Sequence, residues 1–219
     1  MNVEQFISWF PLFVVGLAAA ISLRSFRYHY PVALKQLSLL WVLIFFIDLA
    51  GHIIKAYQVN NHWLYNIYYW LQYLSLPYLY YQQIQNQYIR NIIRVFYIAF
   101  PVFVLVDSIF IEGIVNLQSL IIVIGGIFII FLAAAYFRQL YISEENEKIT
   151  RDPWFWFSFG FIINFGGTVP FLGMLNYLLE HYRPFTRFYY LYFSNSYVIL
   201  LNVLIIAGYL CRTHYQESS

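Results

Sequence analysis

The chain has 219 residues, of which 62% are apolar and only 10% are Asp, Glu, Lys or Arg, with a formal net charge of +2. Too few polar groups remain to cover a water-soluble surface, so the composition excludes a soluble domain and predicts an integral membrane protein. The small charge gives no support for a nucleic-acid partner. The single cysteine, Cys211, excludes an intrachain disulfide and any paired-cysteine metal motif.

Apolar segments long enough to cross a bilayer follow one another along almost the whole chain. About 20 mostly apolar residues cross a hydrocarbon core of about 30 Å. Seven segments reach this length, so we expect a single domain, 1–219, folded as an all-α bundle of seven transmembrane helices. The approximate ranges are 6–23, 37–57, 64–81, 92–110, 117–137, 154–177 and 188–210.

The Lys and Arg residues between these segments predict the orientation of the bundle. With the N-terminus outside, nine of them fall on the cytoplasmic side and three on the outer side. The nine are Arg24, Arg27, Lys35, Arg90, Arg94, Arg138, Lys148, Arg151 and Arg212, and the three are Lys55, Arg183 and Arg187. Because cytoplasmic loops carry the excess of Lys and Arg, we expect a multi-pass protein of the inner membrane with a cytoplasmic C-terminus. Its first partner is the lipid bilayer.

The second segment carries three ionisable side chains on one face. At 100° per residue, His52 and Lys55 lie within about 40° of Asp48 around the helix. An ionisable side chain in the membrane costs about 2.5–3.5 kcal/mol to insert, so its presence needs a reason. The triplet could relay protons or bind a polar ligand. In the structural alternative, Asp48 pairs with a neighbouring helix, His52 hydrogen-bonds within the bundle and Lys55 reaches the interface.

The third segment is unusually rich in hydrogen-bonding side chains. Tyr65, Tyr69 and Gln72 share one face, which suits a cavity for an amphipathic or aromatic ligand. An interfacial aromatic belt accounts for the tyrosines equally well. It accounts poorly for Gln72, because this residue lies a turn or more deeper in the membrane.

The sixth segment contains the sequence Gly166-Gly-Thr-Val-Pro170, where a helix can bend or open. Glycines weaken a helix, and a proline removes a hydrogen-bond donor. Asn164 and Thr168 lie one turn apart at this point. A broken helix of this kind often lines a binding site in transporters, although a static kink is the commoner outcome.

The seventh segment carries Asn195 and Asn202 on one face, where amides usually join helices. Taken together, the deep polar side chains are concentrated in the outer half of four segments, as expected for a pocket open to the outside. The predicted ligand-binding residues are Asp48, His52, Lys55, Tyr65, Tyr69, Gln72, Asn164, Thr168, Asn195 and Asn202.

Several other membrane chemistries lack the residues that they need. The last segment contains no lysine for a retinal Schiff base, and His52 is the only histidine at membrane depth. The others, His29, His62, His181 and His214, lie in loops or in the C-terminal tail. No nucleophile or metal-ligand motif is present. We therefore expect no catalytic residues, no metal site and no cofactor.

The run Asn60-Asn-His-Trp-Leu-Tyr-Asn-Ile67, preceded by Asp48 and Gly51-His52, resembles a group of small bacterial seven-helix membrane proteins. These are similar to the membrane-embedded sensory regions that precede some histidine kinases. The resemblance is specific over Asp48–Tyr81 and elsewhere rests on helix number and topology. It implies a seven-helix fold and a sensory class of function, without a particular ligand.

The function that we expect is a sensory or adaptor protein that binds a small or lipidic ligand in the outer half and signals through a partner. A small proton-coupled transporter using Asp48 and His52 is one alternative. A structural scaffold is another, in which the polar residues only hold helices together. A lipid-modifying enzyme with Asp48 and His52 as acid and base is the weakest, because no nucleophile accompanies them. The oligomeric state stays open.

Overall fold

The computed structural model describes residues 3–27, 30–142 and 149–211, and within these ranges the chain forms helices and no strand. The predicted all-α class is therefore confirmed. Lys148 and Arg212, two of the cations used to predict orientation, lie outside the described residues. His29 and His214 lie outside them as well.

Nine α-helices follow one another in the described ranges. They are α1 (Val3–Ser22), α2 (Val32–Ala56), α3 (His62–Gln83), α4 (Gln87–Val106), α5 (Ser119–Ile142), α6 (Pro153–Gly173), α7 (Leu175–His181), α8 (Arg183–Phe188) and α9 (Asn195–Leu210). A 3₁₀ turn at Leu23–Phe26 extends α1, and another precedes α6 at Ile149–Arg151. A π-helical turn at Asp107–Ile111 extends α4, and a second one, Tyr189–Ser194, joins α8 to α9.

Six helical segments in the described ranges are long and apolar enough to cross a membrane, as expected for a multi-pass membrane protein. They are Trp9–Phe26, Val32–Ala56, Gln87–Ile111, Ser119–Ile142, Pro153–Gly173 and Arg183–Leu210. Helix α3 has 22 residues, enough for about 33 Å at 1.5 Å per residue. It is less apolar than the other six because its sequence is rich in Tyr, Gln and Asn.

Contacts between helices arrange α1, α2, α3, α5, α6 and α9 in a closed ring, in that order. Helix α4 packs outside the ring against α3 and α5. We call the end of the ring near Ala56, His62 and Gly173 the upper end, and the end near Val32 and Gln83 the lower end. Close approach within the ring depends on small residues in α5. A Cβ atom at Gly125 would lie 2.3 Å from the Tyr73 ring of α3.

Aromatic side chains fill the lower half of the ring. The largest of them are buried: Tyr80, Trp154, Phe157, Phe161 and Tyr209. Both tyrosine hydroxyls have partners, since the Tyr80 hydroxyl lies 2.8 Å from the Ser158 hydroxyl and the Tyr209 hydroxyl donates to the Leu34 carbonyl at 2.8 Å. The lower half is therefore a closed, hydrogen-bonded core.

Several of the approximate predicted boundaries differ from those of the helices by four or five residues, as at the starts of α2 and α4. Helix α6 ends at Gly173 and not at Tyr177, because the Met174 N–H turns back to the carbonyls of Phe171 and Leu172 and a new helix follows. The last segment begins at Arg183 and not at Phe188. The sequence 166–170 also forms no opening, because α6 stays helical through it and the Thr168 hydroxyl donates to the Asn164 carbonyl at 2.7 Å.

Candidate ligand cavity

A cavity of about 900 Å³ occupies the upper half of the ring. Its walls come from α1, α2, α3, α6 and the segment from α8 to α9. The cations at its upper end, Lys55, Arg183 and Arg187, have exposed side chains and mark its mouth. A volume of this size matches cavities that hold small organic ligands.

All ten residues that the sequence analysis selected line this one cavity. They are Asp48, His52, Lys55, Tyr65, Tyr69, Gln72, Asn164, Thr168, Asn195 and Asn202. The structure thus brings together side chains from four separate helical segments. Their role in ligand binding stays a prediction.

The face of α2 that carries Asp48, His52 and Lys55 forms one wall of the cavity. His52 Nδ1 lies 2.9 Å from the backbone carbonyl of Asp48, so this nitrogen must carry the proton and donate it. The Trp9 ring of α1 lies against the imidazole, with 5.3 Å between the ring centroids. Helix α1 and the backbone of α2 therefore hold the His52 ring in place, while the half-buried Asp48 side chain faces the cavity.

Four tyrosines share the cavity with Asp48, and we call Tyr65, Tyr68, Tyr69 and Tyr190 the tyrosine cluster. Each lines the cavity and lies within electrostatic range of the Asp48 side chain. The Tyr65 and Tyr68 rings are nearly perpendicular at 87°, and the Tyr68 and Tyr69 rings have centroids 4.9 Å apart. The cluster therefore presents both ring faces and ring edges to the cavity.

Gly51 lets the tyrosine cluster approach α2. A Cβ atom at this position would lie 2.7 Å from the Tyr65 hydroxyl, closer than real Cβ contacts allow. The Gly51 carbonyl also accepts a hydrogen bond of 3.1 Å from the Asn61 side chain at the start of α3. Together these two contacts hold the upper ends of α2 and α3 close beside the cavity.

The polar side chains of the cavity differ in how they are paired. Asn202 accepts from the Trp41 indole at 2.9 Å and donates to the Val198 carbonyl at 2.8 Å. Asn195 donates to the Leu191 carbonyl at 3.0 Å. These amides and the Thr168 hydroxyl are already used within the protein, as expected for residues that join or brace helices.

Two buried acceptors differ from these amides. In the part of the chain that the structure describes, neither Gln72 Oε1 nor Asn164 Oδ1 has a hydrogen-bond partner. Gln72 is 2% exposed and Asn164 is 9% exposed. Since a buried, unpaired polar atom costs about 1–3 kcal/mol, these two acceptors on α3 and α6 indicate places for hydrogen-bond donors in the cavity.

Sequence reasoning missed several of the lining residues. Tyr68 was not selected, and Arg183 and Arg187 were used only to predict orientation. Tyr190 was not selected either. In the structure it is 43% exposed and lines the cavity. A period of 3.6 residues would have placed Tyr190 and Arg187 on one face, but no sequence pattern links that face to Asp48, 142 positions earlier.

The described residues contain no group of three or more His, Cys, Asp or Glu side chains placed to hold a metal ion. No protein-family model matches the chain, and no curated protein and no solved structure matches it either. The function must therefore be inferred from the cavity and its chemistry.

Proposed function

We propose that this protein is a sensory or adaptor protein of the inner membrane that binds a small or lipidic ligand in the cavity and signals through a partner. The observation that carries the proposal is the convergence of all ten selected polar residues on one cavity of about 900 Å³. The unpaired acceptors Gln72 Oε1 and Asn164 Oδ1 support the proposal, because both lie in this cavity and can accept hydrogen bonds from a ligand.

The topology proposed for this function has seven spans, which are the six long apolar segments and α3. The N-terminus lies outside. The excess of Lys and Arg in the loops at the lower end supports this orientation. The mouth of the cavity would then face outwards, where an external or outer-leaflet ligand can enter.

Cysteine labelling tests this topology, because Cys211 is the only native cysteine. In a Cys211→Ser background, Val59→Cys reports on the loop before α3 and Gln85→Cys on the loop after it; both native side chains are exposed. A membrane-impermeant maleimide should label Val59→Cys in intact cells or spheroplasts and label Gln85→Cys only after lysis. Labelling of both positions from the same side would contradict a spanning α3.

A sensor needs no passage through the lower half of the ring, whereas a transporter would have to open it during its cycle. Tyr80, Ser158 and Tyr209 are hydrogen-bonded in a buried core directly below the cavity. Proton flux into reconstituted vesicles above that of empty vesicles would favour the transporter alternative.

A ligand signal can pass from the cavity to the lower end through α6 and α9. The Tyr189 hydroxyl donates to the Gly167 carbonyl, and Gly167 lies against the Tyr197 ring. Asn164 and Thr168, on the same stretch of α6, line the cavity. A ligand that binds Asn164 or Thr168 would shift the contact between α6 and α9. The partner would detect this shift at the lower end.

Purification from native membranes in mild detergent, followed by native mass spectrometry, tests ligand binding directly. Wild type should retain a small molecule or lipid that Asp48→Asn and His52→Ala lose. Asp107→Asn is the matched control, because Asp107 is a buried carboxylate in the π-helical turn after α4 and does not line the cavity. Identical bound species in wild type, Asp48→Asn and His52→Ala would rule out the proposed binding site.

A further inference from the structure

The cavity carries opposite chemistry at its two levels, and this difference restricts the ligand. At the deeper level lie a carboxylate, Asp48, and the unpaired oxygens of Gln72 and Asn164. These groups accept hydrogen bonds and favour positive charge. At the mouth lie the cations Lys55, Arg183 and Arg187, which favour negative charge.

The tyrosine cluster adds a second preference at the deeper level. The rings of Tyr65, Tyr68, Tyr69 and Tyr190 line the same cavity as the Asp48 side chain and lie within its electrostatic range. Aromatic faces attract organic cations, and a group of aromatic rings is the usual site for alkylammonium groups. The Asp48 carboxylate supplies a counter-charge that an apolar ligand would leave unpaired.

A ligand that carries only positive charge is not favoured at the mouth of the cavity. Lys55, Arg183 and Arg187 would repel it on entry. A ligand that carries an anionic group beside its ammonium would instead find a partner at each level. Arginine side chains bind phosphate oxygens in pairs, which favours phosphate as that anionic group.

The spacing of the two levels suits a headgroup. Asp48 and Lys55 are seven residues apart on α2, about 10 Å along the axis at 1.5 Å per residue. Lys55 has a long, flexible side chain, so its ammonium can approach an anionic group that lies part of the way towards Asp48.

From these observations we infer that the cavity binds a zwitterion of the ammonium–phosphate type, with its ammonium between Asp48 and the tyrosine cluster and its phosphate at Lys55, Arg183 and Arg187. This inference rests on the proposed ligand-binding function and names the class of ligand. The zwitterion could be a lipid headgroup or a free, water-soluble molecule, and both share this chemistry.

The test compares three amphiphiles with the same tail, added to the purified full-length protein in maltoside micelles. Tetradecylphosphocholine carries both charges, tetradecyl phosphate carries only the anion, and tetradecyltrimethylammonium carries only the cation. Native mass spectrometry or a ligand-induced thermal shift measures the affinity of each. The zwitterion should bind at least about tenfold more tightly than either single-charge analogue.

Two variants assign the two ends of the ligand. Asp48→Asn should weaken tetradecylphosphocholine at least about tenfold and leave tetradecyl phosphate unchanged. Lys55→Gln, at an exposed position, should weaken both phosphate-containing amphiphiles and not tetradecyltrimethylammonium. Asp107→Asn should bind all three as wild type does. The inference is overturned if a single-charge analogue binds as tightly as the zwitterion, or if Asp48→Asn and Lys55→Gln leave zwitterion binding unchanged.

Free phosphocholine separates the two sources of the headgroup. Displacement of tetradecylphosphocholine by free phosphocholine supports a water-soluble zwitterion, whereas tight binding without such displacement supports a lipid. The failure of the ligand class is also distinguishable from that of the proposed function. If wild type retains a molecule of other chemistry that Asp48→Asn loses, only the zwitterion is wrong; if Asp48→Asn changes the binding of nothing, both proposals fail.

Discussion

The Trp41 indole donates a hydrogen bond of 2.9 Å to Asn202 Oδ1 and joins α2 to α9 at the deep end of the cavity. Trp41 is 1% exposed and Asn202 is 3% exposed, so loss of either partner leaves a buried polar atom unpaired. Trp41 also lies 6.0 Å from the Phe161 ring of α6, between centroids. This pair of residues therefore connects the cavity to the closed lower half of the ring.

The first prediction concerns this hydrogen bond. Trp41→Phe and Asn202→Leu should each destabilise the protein, because each leaves the other polar group without its partner. The double variant should lose less than the sum of the two, with a coupling of about 0.6–1.7 kcal/mol, as found for hydrogen bonds between membrane helices. Equilibrium unfolding by sodium dodecyl sulfate in mixed micelles measures the free energy of unfolding of wild type, the two single variants and the double variant. Strict additivity would mean that the bond contributes nothing to stability.

The second prediction uses two neighbouring glycines of α6 as a matched pair. A Cβ atom at Gly167 would lie 2.4 Å from the Tyr197 ring, whereas a Cβ atom at Gly166 would meet nothing within 4 Å. Gly167→Ala should therefore lower the melting temperature by several degrees. Gly166→Ala should leave it unchanged or raise it slightly, because alanine favours a helix by about 1 kcal/mol over glycine.

A second-site change checks the cause of the Gly167 effect. Replacing Tyr197 with alanine in the Gly167→Ala background should recover part of the lost stability, since the clashing ring is then gone. Equal melting temperatures for Gly166→Ala and Gly167→Ala would show that α6 and α9 do not approach as closely as the structure places them.

The third prediction concerns the N-cap of α6. Asp152 accepts a hydrogen bond of 2.9 Å from the Trp154 N–H and another from the Tyr136 hydroxyl. Asp152→Ala should cost about 1 kcal/mol from the cap alone, and more with the lost Tyr136 partner. Asp152→Asn keeps an acceptor at the cap and should cost much less. Melting temperatures of both variants test this order, and the reverse order would contradict the capping role.

The pH dependence of Asp152 adds a sharper test. Burial raises the pKa of this carboxyl above its ordinary value of 3.8, and the Tyr136 and Trp154 hydrogen bonds only partly oppose the shift. The folded state therefore binds the proton more tightly than the unfolded state does. The Asp152 contribution favours folding at low pH and declines as the pH rises from 3.8 towards the raised pKa. Asp152→Asn should remove this part of the pH dependence of the melting temperature.

The fourth prediction concerns the reactivity of Cys211. Burial, and secondly the nearby Asp152 charge, raise the pKa of this thiol to about 11. Its Sγ atom lies 3.0 Å from the Gly208 carbonyl. Because the thiolate is the reactive form, alkylation should be slow at neutral pH and should rise about tenfold per pH unit up to pH 10. A rate that levels off near pH 8.5, as for an ordinary thiol, would contradict this environment.

Part of the site could be predicted because it depends on local periodicity. Asp48, His52 and Lys55 share a wall of the cavity since 3.6 residues per turn places them on one face. The expected depth of Gln72 in the membrane was enough to distinguish it from the interfacial aromatic belt. Its Oε1 atom is one of the two unpaired acceptors in the cavity. Tyr190 could not be assigned in this way, because its place beside Asp48 depends on how the last helix meets α2.

The sequence by itself determined the all-α class and the positions of the apolar segments, because a bilayer requires long helices with satisfied backbones. It also determined which polar side chains share each helix face. Only the tertiary structure decided that α1, α2, α3, α5, α6 and α9 close into a ring, with α4 outside. That order depends on close contacts such as Gly125 with Tyr73 and Gly51 with Tyr65, whose geometry no single helix contains. The physical reason is that helix periodicity is local, whereas the packing that turns separate polar faces into one cavity is not.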